Sequence, residues 1–165
     1  MANYLEFSDE ELVRIGRESL RSLRFEKAHE VFGVYAERAS VEGRPIPAGI
    51  LANYALTVGH CKSLKEGLLL CQAAVKSDRH APEVYSCLAQ LYLLANARKQ
   101  AWEAVRHGLS YGPTHADLRR LETEMGKRGR PVVPFLHRDN PINVRLGRTL
   151  RRDKTSPRRT PRASA

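Results

Sequence analysis

Residues Pro82 to His115 carry two apolar stripes of helical spacing within 34 residues. The first is Tyr85, Leu88, Ala89 and Tyr92; the second is Ala101, Val105, Gly108 and Leu109. Steps of three and four residues place side chains on one face of a helix. Asn96-Ala97 separates the stripes, and Pro113 closes the second because proline cannot continue a helix. A short helix with one apolar face is not stable alone in water. Two such helices folded back on each other bury both stripes, so the stretch predicts a helix–turn–helix unit. The unit recurs directly upstream, from Ala48 to Ala81, with Leu51, Tyr54, Ala55 and Val58, then Gly67, Cys71, Ala74 and Val75. Leu51 and Tyr85, Tyr54 and Leu88, Ala55 and Ala89, Cys71 and Val105, and Ala74 and Gly108 each lie 34 residues apart and match in character. A period of this length predicts stacked repeats, each covering the apolar face its neighbour leaves open.

The period continues to the amino-terminal side across a five-residue insertion, Gly43-Arg44-Pro45-Ile46-Pro47. A first unit then runs from Asp9 to Glu42, with Leu12, Ile15, Gly16, Ala28 and Phe32 at the corresponding places. Ser8 to Glu11 forms a capping box that starts a helix at Asp9, and a second helix is expected near Phe25 to Ser40. Ser63 to Glu66 predicts another capping box. Gly16 and Ala28 are small because the paired helices cross closely there. After Pro113, Thr114 and Asp117 are candidate caps for one more helix, Ala116 to Met125, with Leu118, Leu121 and Met125 along one side. A repeat array needs such a terminal element with one polar face. Gly126 ends it.

These offsets resemble the tetratricopeptide repeat, a helix–turn–helix unit of 34 residues. Tyr85, Leu88, Ala89, Tyr92, Ala101, Val105, Gly108 and Pro113 fall at its signature positions. The middle unit departs from the pattern, with Gly67 in place of the usual Ala and Arg79 in place of the late Pro. The resemblance implies an all-α solenoid of three repeats, about 9–42, 48–81 and 82–115, with a capping helix at about 116–125 and a basic tail. It also implies a scaffold that binds a peptide or helix in a concave groove lined by the leading helices. Their second, fifth, sixth, ninth and thirteenth positions face the guest in that family. The first repeat then presents Glu10, Val13, Arg14, Arg17 and Arg21, and the second presents Gly49, Ala52, Asn53, Leu56 and His60. The third presents Glu83, Ser86, Cys87, Gln90 and Leu94. Some relatives hold the acidic C-termini of heat-shock chaperones in a carboxylate clamp of Lys, Asn, Asn, Lys and Arg. The matching positions here are Val13, Arg17, Asn53, Glu83 and Cys87. Only Asn53 agrees, and Glu83 would repel a carboxylate, so that specific function is not expected.

The net charge of +10 is not spread along the chain. Residues 1–126 hold 16 basic and 16 acidic side chains, whereas residues 127–165 hold 12 and 2. The chain reads as a neutral repeat domain, 1–126, and a basic Pro-rich tail, 127–165. A short amphipathic helix is expected at about 141–152 on Ile142, Leu146 and Leu150, and disorder after 153. The apolar cluster Val132, Val133, Phe135 and Leu136 predicts that the tail docks, on the last repeat or capping helix, in the groove, or on another protein. Arg14, Arg17, Arg21 and Arg24 form a basic stripe suited to an acidic partner segment.

No apolar run reaches the roughly 20 residues of a membrane span, and the acidic start lacks a secretory pattern. Three scattered cysteines without a CxxC fit a reducing cytoplasm and packing roles. Six histidines show no metal spacing, and phosphate-cradling glycine motifs are missing. The expected protein is therefore a cytoplasmic non-enzyme without cofactor or metal. Its first expected role is adaptor- or chaperone-like binding of a partner protein, with self-association through repeat faces possible in principle. The alternative is weak electrostatic binding of nucleic acid or acidic membrane through the tail.

Overall fold

The computed structural model describes residues 4–126. A short 3-10 helix, Tyr4–Glu6, precedes seven α-helices, and there is no strand among the described residues. The helices are α1 Asp9–Arg21, α2 Phe25–Val41, α3 Ala48–Cys61, α4 Leu64–Ser77, α5 Pro82–Leu94, α6 Arg98–Tyr111 and α7 Ala116–Met125. They form three helix–turn–helix pairs and one further helix. The pairs are α1 with α2, α3 with α4 and α5 with α6; α7 then packs on both α5 and α6.

Local signals set most of these boundaries. Ser8 Oγ accepts from the Glu11 N–H, and the Glu11 carboxylate accepts from the Ser8 N–H, so the first capping box is complete. Pro82 is the first residue of α5, where its missing N–H leaves no bond unmade. At α4 only half of the expected box forms: Ser63 accepts from Glu66, and the return bond is absent. Neither Thr114 nor Asp117 caps α7. Its cap residue is His115, whose side chain makes no capping bond, and Asp117 already lies inside the helix. The other end of α7 is tied instead, by the Arg98 guanidinium donating to the Met125 carbonyl at 2.6 Å.

Both stripes of the third repeat turn inward. Tyr85, Leu88, Ala89, Ala101, Val105 and Gly108 are buried, and Tyr92 and Leu109 are half-buried. They join the buried Ala55, Leu56, Cys71 and Ala74 of the second repeat and Leu118 and Leu121 of α7 in one core. Leu12, Val31, Tyr35 and Ala39 form a second cluster within the first repeat. Each fully buried large apolar side chain contributes about 1.5–3 kcal/mol.

The helix pairs cross closely at glycines. A methyl at Gly16 would meet the Phe32 ring, as close as 2.6 Å. A methyl at Gly67 would meet backbone: the Ala55 carbonyl oxygen and the Gly59 Cα, each at 2.7 Å. The departure from the usual Ala therefore marks a tighter crossing of α3 and α4, with glycine on both sides.

The insertion between the first two repeats does more than space them. Its Arg44 reaches back to pair with Asp9 at the start of α1 and donates to Glu42 at 2.6 Å. Arg44 also lies over the Tyr35 ring, 5.3 Å from its centroid. Arg38 donates to Asp9 at 2.9 Å and to the carbonyls of Phe7 and Leu5. Two arginines thus bind the beginning of the first repeat to its end. No helix among the described residues is long and apolar enough to cross a membrane.

Gly67→Ala drives a methyl into backbone that cannot swing aside, and it is expected to cost about 1–3 kcal/mol. Gly33, within α2, has open space around its α-carbon. Gly33→Ala is therefore expected to stabilise by about 0.5–1 kcal/mol through helix propensity. Urea unfolding of both variants followed by circular dichroism checks the opposite signs.

Candidate functional site

The leading helix of every pair, together with α7, faces one cavity of about 330 Å³. Its wall takes Arg17, Leu20 and Arg21 from α1, Asn53 and Leu56 from α3, and Glu83, Ser86, Cys87 and Gln90 from α5. Leu23 and Phe25 at the α1–α2 turn, His115, and Asp117 and Arg120 of α7 complete it. The helical steps 17–21, 53–56 and 83–86–90 keep these side chains on the groove side, while the intervening residues enter the core.

Cys87 lies at the floor. Its Sγ donates to the Asn53 carboxamide oxygen at 3.4 Å, which joins α5 to α3 beneath the groove. Burial pushes the thiol up to about 12, and the carboxylates of Glu83 and Asp117 add to this against Arg17. Arg17, Arg21, Glu83 and Asp117 enter no ion pair among the described residues, although charges of both signs line the same cavity. Arg120 is shared with Glu124 at 3.5 Å. The Glu83 carboxylate rests against the Gly49 α-carbon, in space that any β-carbon would fill.

The rim contains a strained residue. Leu23 holds φ at +56° and is 73% exposed. Asn96 occupies the same place in the third repeat with the same φ. The two turns close alike, Arg24 N–H bonding to the Ser19 carbonyl and Ala97 N–H to the Tyr92 carbonyl. Asparagine tolerates this left-handed conformation, whereas leucine in it costs roughly 1–2 kcal/mol.

The structure gathers Arg17, Arg21, Asn53, Leu56, Glu83, Ser86 and Gln90 around the cavity, as the repeat offsets place them. Arg14 lines a neighbouring depression of about 680 Å³ with Glu10, Val13, Tyr35 and Ile50, which Arg17 and Arg21 also border. His60 is not part of the cavity wall. Its ring stacks on Phe25 with centroids 3.7 Å apart. Leu94 is 42% exposed in the last turn of α5 and lies outside the lining. Val133, Phe135 and Leu136, the tail helix and the charge excess all lie outside the described residues. The offsets missed Leu20, Leu23, Phe25, His115, Asp117 and Arg120. Two of these had a signal: counted from Ala116, Asp117 and Arg120 hold the second and fifth positions, as in the other leading helices.

No protein-family model matches the chain, and no curated protein matches it in sequence. Solved structures match it in fold. The chain is similar to the tetratricopeptide domain of Arabidopsis OM64, with a TM-score of 0.54 at 15% identity, covering 71% of this chain and 93% of that one. The fold is that of a tetratricopeptide-repeat domain. The TPR2B domain of yeast Sti1, in complex with pHsp70, has a TM-score of 0.52 at 17% identity over 68% of this chain and 89% of its own. The second tetratricopeptide domain of human RPAP3, in complex with the HSP70 peptide SGPTIEEVD, has 0.50 at 13% over 73% and 100%.

In this tetratricopeptide domain two imidazoles sit where helices meet, His29 half-buried and His60 exposed. His29 contacts the Thr57 hydroxyl at 3.2 Å and stacks on Tyr54, and His60 stacks on Phe25. Burial is the main cause that lowers both from the usual 6.5. The folded state thus resists protonation, and stability present above pH 6.5 is lost as pH falls through and below that value. The melting temperature is expected to drop between about pH 7 and pH 5. Repeating the melts with the combined His29→Gln, His60→Phe variant should flatten that slope. A second expectation concerns the strained turn: Leu23→Asn should raise unfolding stability by about 1 kcal/mol in urea titrations.

Proposed function

We propose that the chain is a protein-interaction module, adaptor- or chaperone-like, that seats a peptide or helix of a partner protein in the groove. The observation that carries this reading is the groove's mixed and uncommitted lining. Arg17, Arg21, Glu83 and Asp117, which form no ion pair among the described residues, stand beside the apolar Leu20, Leu23 and Phe25. Free charges beside apolar surface suit recognition, because a guest supplies their missing partners while covering Leu23 and Phe25. The strained, exposed Leu23 supports the same reading, since costly backbone conformations persist where contact surfaces need them. The buried thiols suit packing better than nucleophilic chemistry, because burial holds Cys71 and Cys87 in their protonated form.

Two domains of similar fold were solved with Hsp70 or its peptide. Here the positions of a carboxylate clamp hold Val13, Arg17, Asn53, Glu83 and Cys87. Asn53 is engaged by Cys87, and Glu83 brings a negative charge where the clamp has a cation. A guest of different charge pattern is therefore favoured.

A photo-crosslinking residue placed at Gln90 within the groove should capture the partner in cells. The same residue at Leu69, which is exposed on α4 and outside the lining, should not. Equal capture at both positions, or capture at Leu69 alone, would overturn the proposal. Leu23→Asn should weaken capture at Gln90 although it stabilises the fold.

A further inference from the structure

The distribution of charge inside the groove points to the chemistry of the guest; the inference rests on the binding role proposed above. Its basic wall belongs to α1, through Arg17 and Arg21; the unpaired carboxylates Glu83 and Asp117 come from α5 and α7, where Arg120 also lines the cavity but is shared with Glu124. Arg17, Glu83 and Asp117 line the same cavity as Cys87, so both signs face one space. They nevertheless form no ion pair with each other. Phe25 and Leu56 lie in the same cavity.

The absence of a side chain at position 49 makes room for Glu83 there. Gly49 on α3 leaves a gap under its carboxylate, and a β-carbon at that position would overlap it. The backbone carbonyl of Glu83 accepts from the Ser86 hydroxyl at 2.9 Å. Among the described residues the Glu83 carboxylate has no ion-pair partner. It offers an acceptor to a cation arriving from outside.

We propose that the groove selects a partner segment of alternating charge. A Lys or Arg of that segment meets Glu83 and Asp117, an Asp or Glu meets Arg17 and Arg21, and an apolar residue between them covers Leu23 and Phe25. Uniformly acidic segments are disfavoured because Glu83 and Asp117 repel them. Uniformly basic segments are disfavoured by Arg17 and Arg21.

The full chain and its Arg17→Glu, Glu83→Lys and Gly49→Ala variants test this against phage-displayed random short peptides. Selected peptides are then remade and titrated by fluorescence polarisation. Circular dichroism melts verify folding; Arg17 and Glu83 are exposed, and at Gly49 only the mobile end of Glu83 must move. The expected peptides carry a basic and an acidic residue flanking an apolar one. Glu83→Lys should weaken them about tenfold, and exchanging the peptide's basic residue for Glu should restore the affinity. Gly49→Ala should weaken the same peptides without any change of charge. If Glu83→Lys does not fold, Gly49→Ala and the matched exchange of Arg17→Glu with the peptide's acidic residue decide the question. Peptides that are lost with Arg17→Glu but carry only acidic residues, or that ignore Glu83→Lys, would overturn the charge pattern and leave groove binding standing. Selection of peptides indifferent to all three variants, or of none, would overturn both.

Discussion

The close crossing of α3 and α4 is the contact on which the rest of the domain depends. Gly67 lies against the backbone of α3 at Gly59 and Ala55, with no side chain between. Gly59 is used twice, since the space a β-carbon would take there is filled by Leu91 of α5. One glycine therefore admits both the partner helix of its own repeat and the leading helix of the next. Apolar burial is not directional and would accept many arrangements of these helices. Contact at backbone distance accepts few, because dense interiors do not deform smoothly. The facing of α3 and α5, and hence of Asn53, Leu56, Glu83 and Cys87, follows from that contact.

The groove combines two kinds of tension that the core avoids. Charges of both signs stand near one another without pairing, and an exposed leucine holds a left-handed backbone. Elsewhere in the described residues the polar groups are more fully used. Asp9 serves Arg38 and Arg44 together, and Arg98 satisfies the Met125 carbonyl. Local rules of propensity and pairing are followed in the scaffold and broken at its inner surface. That contrast is what a binding surface produces, because groups already satisfied within the chain have little to offer a guest.

Much of the scaffold was legible because its determinants are local. Ser8 and Glu11 are three residues apart, Pro82 starts its own helix, and the stripes of Tyr85 to Tyr92 and Ala101 to Leu109 repeat within one turn of helix. The failures were of two kinds. At α7 the caps assigned to Thr114 and Asp117 did not form, since cap residues near one another in sequence compete and the boundary settled at His115. The joining of Asp9 to Arg38 and Arg44 was invisible, because it spans the whole first repeat and has no sequence signature. His60, whose offset faces the groove, lies outside the cavity lining but stacks on Phe25, which is part of it.

The sequence by itself determined that this chain forms three helix–turn–helix repeats and a terminal helix, and which side of each helix is apolar. Those properties depend on spacing along the chain, and spacing is what a sequence records. Only the tertiary structure decided which charges share one cavity: Glu83 over Gly49, Arg17 of the first helix, and Asp117 and Arg120 of the last. Such meetings depend on how closely helices from different repeats approach. That distance is set by the packed volume of every side chain between them, which no local pattern encodes.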